Sequence, residues 1–432
     1  MDYLKKTVKK IFQYQARLVL KKYKPRIIAI TGSVGKTLTR ETIYLVLSKK
    51  FFVRKNERSF TTELGIPLTV IGCPSGVTTP IQLVKNILAG LKLLVYKNKY
   101  PDWLILEMDS DKPGDLSAVS SFLSADVLIM TAIGQTPSHI ESFPDMESFL
   151  FENRSIINAV KRNGIIIYNA DDERNSNLLL EVASKKISCG IGAGVDIQGS
   201  DFKVLYSENK RNPVPVGMSF KIISGGDQHP VIILGSIGAH NEYACLLAFA
   251  LGLEFDISPK EIVSALSKYK ILPGRMNLIP GIKDTVIIDD SYNSSPVAMI
   301  QALAVFKELK TKGRKIVVLG DMLELGKHSV DEHRKLAELV KDSVSKVICV
   351  GIRMRILSEE LLNLGFDEGN ILSFDTSTEA GKELQNIIEE KDIVLVKGSQ
   401  TVRMEKVVEE IMQCPEDKEK LLVRQEEEWL NR

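Results

Sequence analysis

Cysteine is sparse and irregularly placed in this 432-residue chain: Cys73, Cys189, Cys245, Cys349 and Cys414 are odd in number and include no C-x-x-C pair. That spacing argues against a zinc ribbon or a disulfide frame and for reduced thiols in a cytoplasmic compartment. Charge of one sign is missing as well. Lys plus Arg number 57 and Asp plus Glu 55, so there is no global basic field of the kind nucleic-acid binding demands, and no nucleic-acid partner is expected. No apolar run reaches the length of a bilayer span, and the N-terminus lacks the uninterrupted apolar core and cleavage site of a signal peptide; the expected location is the cytoplasm. Repeats and low-complexity tracts are absent too. What remains, 44% hydrophobic and 26% charged, is ordinary globular material of a length suited to about two or three domains.

Against that background one run stands out. Ile27-Ile28-Ala29-Ile30 is a short β-branched strand that breaks into Thr31-Gly32-Ser33-Val34-Gly35-Lys36-Thr37. The glycines allow a turn whose N–H groups, from Gly32, Ser33, Val34 and Gly35 onward, form an anion nest at a helix N-terminus. Lys36 adds a point charge and the Thr37 hydroxyl a ligand for Mg²⁺. Ile30 stands where the generic P-loop has its first Gly, so the match is to the tighter T-G-x-x-G-K-T form, with a helix expected over 38–49. The run points to ATP or another nucleoside triphosphate.

Three stretches follow from periodicity. Residues 1–24 read as a basic amphipathic helix: Leu4, Val8, Ile11, Phe12, Leu18 and Val19 recur at helical spacing among Lys5, Lys6, Lys9, Lys10, Arg17, Lys21 and Lys22. Such a helix either packs on the next domain with a solvated Lys face or makes a peripheral contact with an anionic membrane. Residues 25–272 read as an α/β, P-loop ATPase-like domain. Its parallel strands are expected at 26–30, 104–108, 127–133 and 165–169, with an antiparallel extension over 196–234 and helices at 241–253 and 259–269. Leu272-Pro273-Gly274-Arg275 marks a boundary. Residues 273–432 then read as a Rossmann-like doubly wound unit, with strands at 285–289, 315–319, 346–350 and 393–396 and helices at 295–310 and 329–341.

Polar residues gather where those strands end, which is where open parallel sheets place ligands. Glu107 closes the second strand and suits Mg²⁺ opposite the loop, although a strand-end Glu is as readily a cap. His139, after the third strand, reads as a metal ligand, a general base or a surface imidazole. Asn169-Ala170-Asp171-Asp172 ends the fourth strand with groups able to read an adenine edge or a ribose, or merely to form an Asx turn. Arg275 suits a phosphate clamp, and Asp290, in Asp289-Asp290-Ser291-Tyr292-Asn293, an acceptor for ribose hydroxyls.

The order of these motifs, continued by Leu319-Gly320-Asp321-Met322-Leu323-Glu324-Leu325-Gly326 and Val396-Lys397-Gly398-Ser399, resembles the Mur ligases from Pro25 to about Met412. Within that family the chain is most similar to the branch that joins D-alanyl-D-alanine to a UDP-muramoyl peptide in peptidoglycan precursor synthesis. The resemblance implies a monomeric ATP-dependent amide ligase that works through an acyl phosphate. Lys36, Glu107 and His139 would be catalytic, and Thr37, Glu107 and His139 the Mg²⁺ ligands. Asn169, Arg275 and Asp290 would lie around the nucleotide.

The sequence departs from that family at several points. Few residues precede the P-loop strand where the branch usually carries a domain for the UDP-sugar. Asn153 occupies the place of a lysine that much of the family carbamylates, leaving Glu152 as the nearest substitute anion. Ser59 to Pro67 offers Ser and Thr where the family has an Asn-rich loop, and Gln400 stands where an Arg is common. Two alternatives therefore stay open: a Mur-like amide ligase with a different acyl substrate, and a non-catalytic or partner-dependent ATP-binding subunit.

Overall fold

The computed structural model describes residues 2–57, 60–73, 79–208 and 213–430; of residues 2–6, Glu428 and Leu430 only the backbone is described. Helix α1 (Asp2–Tyr23) leads into a nine-stranded sheet of β1 (Arg26–Thr31), β2 (Val53–Lys55), β3 (Trp103–Glu107), β4 (Ala125–Met130), β5 (Val160–Asn169), β6 (Lys185–Gly190), β7 (Ile197–Tyr206), β8 (Pro215–Ser224) and β9 (Asp227–Leu234). Its order is β2-β3-β1-β4-β5-β6-β7-β8-β9. The strands run parallel from β2 to β7, and β7, β8 and β9 form the antiparallel extension. The connecting helices are α2 (Lys36–Leu47), α3 (Gly65–Ile71), α4 (Pro80–Val95), α5 (Asp115–Ser120), α6 (Met146–Asn158), α7 (Glu173–Leu178), α8 (Ala239–Glu254) and α9 (Pro259–Leu266).

Both faces of the parallel part are covered, which is why its strands carry apolar residues without alternation. Ile28, Ile30, Val127 and Ile129 pack with Ile43 of α2, Leu247 and Leu251 of α8 and Ile262 of α9. Their neighbours Ile27, Ala29, Leu104 and Leu128 pack on the opposite face with Val19 of α1, Ile66 of α3, Leu116 of α5 and Phe149 of α6. The apolar side of α1 is thus spent on intramolecular packing, with Phe12, Ala16 and Val19 fully buried. Lys22 Nζ closes the C-terminus of α4 by donating to the carbonyls of Leu93, Leu94 and Tyr96 at 2.7–2.8 Å, a favourable place for a cation.

A second sheet holds β10 (Asn277–Pro280), β11 (Val286–Asp290), β12 (Lys315–Gly320), β13 (Lys346–Val350), β14 (Ile371–Phe374) and β15 (Ile393–Lys397) in the order β10-β11-β15-β12-β13-β14. Only the edge strand β10 is antiparallel. Helices α10 (Pro296–Lys307), α11 (Ser329–Val340) and α12 (Arg355–Asn363) cover one face, and α13 (Ser377–Ile387) and α14 (Glu405–Ile411) the other. Short helices α15 (Lys418–Leu421) and α16 (Glu427–Leu430) end the described chain. The four expected strands are present here, while β10 and β14, four residues each, lie at the edges, where a run is too short to show periodicity.

The two sheets meet through their strand-end loops. Gly134, at φ 77°, faces α10 so closely that a Cβ there would collide with Val297 Cγ2. Nearby, Thr136 Oγ1 donates to Glu332 Oε1 at 3.1 Å and Glu141 N to Glu324 O at 3.3 Å.

Candidate active site

The C-terminal ends of β1, β3 and β4 face those of β11 and β15 across a cavity of about 830 Å³. On the first wall, Gly32 (φ 126°) lies against Thr131 so tightly that any side chain would strike Oγ1, which presses the loop onto β4. One expectation changes here. The N–H groups of Ser33 and Val34 are not turned into a nest: both donate to Ala132 O, at 2.7 and 3.1 Å, in a short antiparallel bridge. The anion-facing groups are instead the first N–H groups of α2, whose Gly35 cap (φ 86°) makes no side-chain hydrogen bond. Ser33 and Val34 still line the cavity.

Lys36 Nζ donates to Gly32 O at 2.6 Å and pairs with Asp109 Oδ1 at 3.1 Å. Glu107, at the last residue of β3, accepts from Thr37 Oγ1 at 2.7 Å through Oε1, while Oε2 faces Arg40 Nη1 at 3.0 Å. Arg40 also pairs with Glu41 at 2.8 Å, and Glu41 with Lys55. Burial pushes the Glu107 carboxyl up, against the pull of Arg40, with Asp109 adding to the rise. For Asp109, burial is outweighed by Lys36 and a Thr61 hydrogen bond, which hold it low. Glu107 Oε2 is buried with no hydrogen bond among the described residues. Thr37 Oγ1 and Glu107 Oε1, two hard oxygens in contact at the start of α2, have the donor chemistry that Mg²⁺ takes, while Oε2 is held in the Arg40 ion pair.

On the second wall, Lys397 Nζ meets Asp290 Oδ2 at 2.6 Å in a buried pair, and Asp290 Oδ1 accepts from Met276 N at 3.2 Å. Asp290 therefore enters the cavity already ion-paired. Arg275 is held differently: its guanidinium lies 4.1 Å from the centroid of the Tyr292 ring, and its buried Nε has no hydrogen bond among the described residues. His240, at the start of α8, lines the same cavity; burial pushes its imidazole down to about 4, and its Nε2 also lacks a hydrogen bond among the described residues.

Asn169 lies behind the loop, in a small recess with Val34, Thr39, Tyr243 and Leu247. Its neighbours are structural. Asp171 accepts from Ile191 N, Gly192 N and the Tyr243 hydroxyl, and Asp172 from Ile133 N and Gly134 N. His139 lines the same cavity as Thr37 and Glu107, at φ 64°, with Nδ1 2.6 Å from Glu324 and Nε2 3.5 Å from Asp111. Burial opposes protonation of this ring, but Glu324 and Asp111 outweigh it and raise the pKa. No cluster of three or more His, Cys, Asp or Glu placed to hold a metal occurs among the described residues.

Glu152 is no substitute anion. Its carboxylate accepts from Gly114 N, Leu116 N, Ser117 N and Ser117 Oγ at 2.9–3.2 Å, capping α5, and so is turned away from the cavity. Asn153 is buried, accepting from Thr31 Oγ1 at 3.2 Å and donating to Phe149 O at 3.0 Å. Ser59 lies outside the described residues; from the same loop, Phe60 and Thr61 are buried. Gln400 lines the cavity.

Arg40, Asp109, Glu324, Lys397 and His240 escaped the reading of the chain as individual residues. Glu324 and Lys397 lay in motifs already singled out, and Asp109 two residues beyond Glu107, so the strand-end position was the available signal. Arg40 lies inside the helix that follows the loop and carries no signal of its own, and only the fold reveals that it is buried.

A P-loop on one α/β sheet facing basic and acidic strand ends of another defines a nucleotide-binding enzyme whose cleft is built by both sheets. Family comparison narrows that class. The model of the Mur ligase middle domain matches residues 30–252, and that of the Mur ligase glutamate ligase domain residues 274–400. The chain belongs to the Mur ligase family. The UDP-N-acetylmuramoyl-tripeptide–D-alanyl-D-alanine ligase of Bacillus subtilis is 27% identical over 404 residues, 93% of this chain and 79% of the relative. The Escherichia coli ligase of the same name is 24% identical over 394 residues, 89% of this chain and 76% of the relative. Among solved structures, MurF ligase from Thermotoga maritima in complex with ADP superposes with a TM-score of 0.74 at 24% identity, covering 93% of this chain and 83% of that one. MurF from Acinetobacter baumannii gives 0.74 at 22%, covering 93% and 79%.

Proposed function

We propose that the chain is an ATP-dependent amide ligase that joins D-alanyl-D-alanine to a UDP-muramoyl peptide, acting as a cytoplasmic monomer with residues 25–272 carrying the P-loop and 273–432 closing over it. The observation that supports this reading most is the pairing of Lys36, Thr37 and Glu107 on one wall with Arg275 and Asp290 on the other, about one cavity. Family membership and the named relatives supply the substrates.

In this reading a substrate carboxylate oxygen attacks the γ-phosphorus of ATP, the bond to ADP breaks, and an acyl phosphate forms; the amine of D-alanyl-D-alanine then attacks the acyl carbon and orthophosphate leaves. Lys36 and the first N–H groups of α2 hold the β- and γ-phosphates, and Asn169, which the resemblance assigns to the nucleotide, stands behind the loop in a recess too small for a base. Thr37 and Glu107 would hold Mg²⁺, which neutralises charge on the transferring phosphoryl group. Arg275 gives the C-terminal wall a cation for the phosphates, and Asp290 an acceptor, oriented by Lys397, for the ribose. His139, with Nδ1 on Glu324, keeps Nε2 for the metal-ligand role the resemblance gives it, since a ligating imidazole commonly holds a carboxylate through its other nitrogen, and the same contact ties the two walls together.

Product mass is the direct test. With ATP, Mg²⁺, UDP-muramoyl tripeptide and D-alanyl-D-alanine, the expected result is a peptide extended by the dipeptide, with phosphate release that needs both acid and amine. ATP binding without phosphate release for any acid and amine pair would overturn it. One observation favours a second reading: uncharged Asn153, bonded to Thr31, supplies no carbamate. Phosphate release with another muramoyl or amino acid, and none with the tripeptide, would establish that form of the ligase.

A further inference from the structure

Helix α4 carries an apolar stripe that the cleft does not use. Ile81, Val84, Leu88, Leu91 and Val95 are 45–72% exposed, and Tyr96 at the helix end is 63% exposed. Their spacings of three and four place them along one line of the helix, opposite the buried Asn86 and Gly90, where the helix backs onto α1 through Gln15. Exposed Lys85 and Lys92, seven residues apart, run beside that line, and exposed Lys97 and Lys99 follow it. Residues 64–101 contain no Asp or Glu, and residues 1–24, packed against α4, contain eight Lys or Arg and one Asp. A chain with a net charge of only +2 thus concentrates its positive charge around its exposed apolar helix.

We propose that α4 is a docking face for an anionic lipid bilayer, lying in the plane of the headgroups with its apolar line inserted and its lysines on lipid phosphates. The two features coincide on one helix, as interfacial helices require: apolar side chains partition into the acyl boundary while Lys stems extend to the headgroups. Sixteen residues give a helix of about 24 Å, short of a bilayer's hydrocarbon core, and no described helix is long and apolar enough to cross a membrane. A second copy of the chain is the poorer occupant, because a two-fold contact would bring Lys85 and Lys92 against their own kind. The apolar side of α1 is buried, so insertion falls to α4.

The full chain is tested by co-sedimentation with vesicles of phosphatidylglycerol and phosphatidylcholine, against phosphatidylcholine alone, with and without added salt. The expected result is pelleting only with the anionic vesicles, weakened by salt. Leu88→Asp with Leu91→Asp, both at exposed positions, should abolish pelleting and leave ATP binding unchanged, which also verifies folding. Lys85→Ala with Lys92→Ala should weaken it about thirtyfold. Failure of the wild type to pellet with anionic vesicles, or equal pelleting of the Leu88 and Leu91 variant, would overturn the proposal. So would a concentration-dependent dimer, seen by sedimentation equilibrium without lipid, that the same variant dissolves. None of these readouts depends on which acid or amine the cleft accepts.

Discussion

The two walls of the cleft balance charge in different ways. On the P-loop wall all three cations are already answered, Lys36 by Asp109, Arg40 by Glu107 and Glu41, and Lys55 by Glu41. On the facing wall Lys397 is answered by Asp290, but Arg275 rests on the face of Tyr292 and its Nε has no hydrogen bond among the described residues. An incoming phosphate must therefore exchange with Asp109 to reach Lys36, whereas it can join Arg275 without displacing a carboxylate. Exchange of one counter-ion for another gives modest net affinity and strong orientation; a cation held only by a ring contributes more of its interaction as binding.

Removing the cations in turn tests this contrast. Lys36→Ala should lower the rate of phosphate release by about 100- to 1,000-fold, the scale of losing a preorganised charge at the transferring group; a loss under about tenfold would reject the assignment. Glu107→Ala should cost about 3 kcal/mol in urea unfolding. That is the low end for unpairing a buried charge, because Glu41 still holds the other edge of the Arg40 guanidinium. Arg275→Ala should weaken ADP binding by about 10- to 100-fold in calorimetry, whereas Asp109→Asn, which frees Lys36 from its partner, should tighten it. If Asp109→Asn weakens ADP binding instead, the exchange picture fails.

The smallest effect concerns the bridge between the walls. Burial opposes the charge on His139, but Glu324 and Asp111 prevail and raise its pKa above the ordinary 6.5; the same contact lowers Glu324 below its ordinary 4.5. The histidine's contribution is whole below pH 6.5 and fades as pH rises through the raised value. Glu324 contributes above pH 4.5 and fades as pH falls through the lowered one. The difference in melting temperature between the wild type and His139→Gln should accordingly peak between pH 4.5 and 6.5, and a difference that grows above pH 8 would contradict the pairing.

Legibility in the sequence followed the range of the interaction. The P-loop, the buried parallel strands and the antiparallel extension were readable because each is fixed by neighbours within a few residues: Ile28 and Ile30 alternate with Ile27 and Ala29 onto two cores. Glu107 and Asp290 were readable as strand ends. The link from His139 to Glu324 was not, since 185 positions separate the two and no periodicity joins them. Glu152 shows a second limit. The family resemblance placed it near the site, but nothing in the one-dimensional pattern reveals that its oxygens turn toward the N-terminus of α5. Residues 1–24 show a third: the amphipathic pattern was plain, yet the surface its apolar side covers is formed by α3 and α4, far along the chain.

Gly134 sets how near the halves of the molecule come. With Val297 already seated on its α-carbon, the stop between the jaws is one hydrogen atom high. Alanine there would act as a shim, holding the jaws ajar and lengthening every reach from one side to the other at once, which a larger radius of gyration would register. The spacing of the two halves is thus set at a position outside the lining of the cleft.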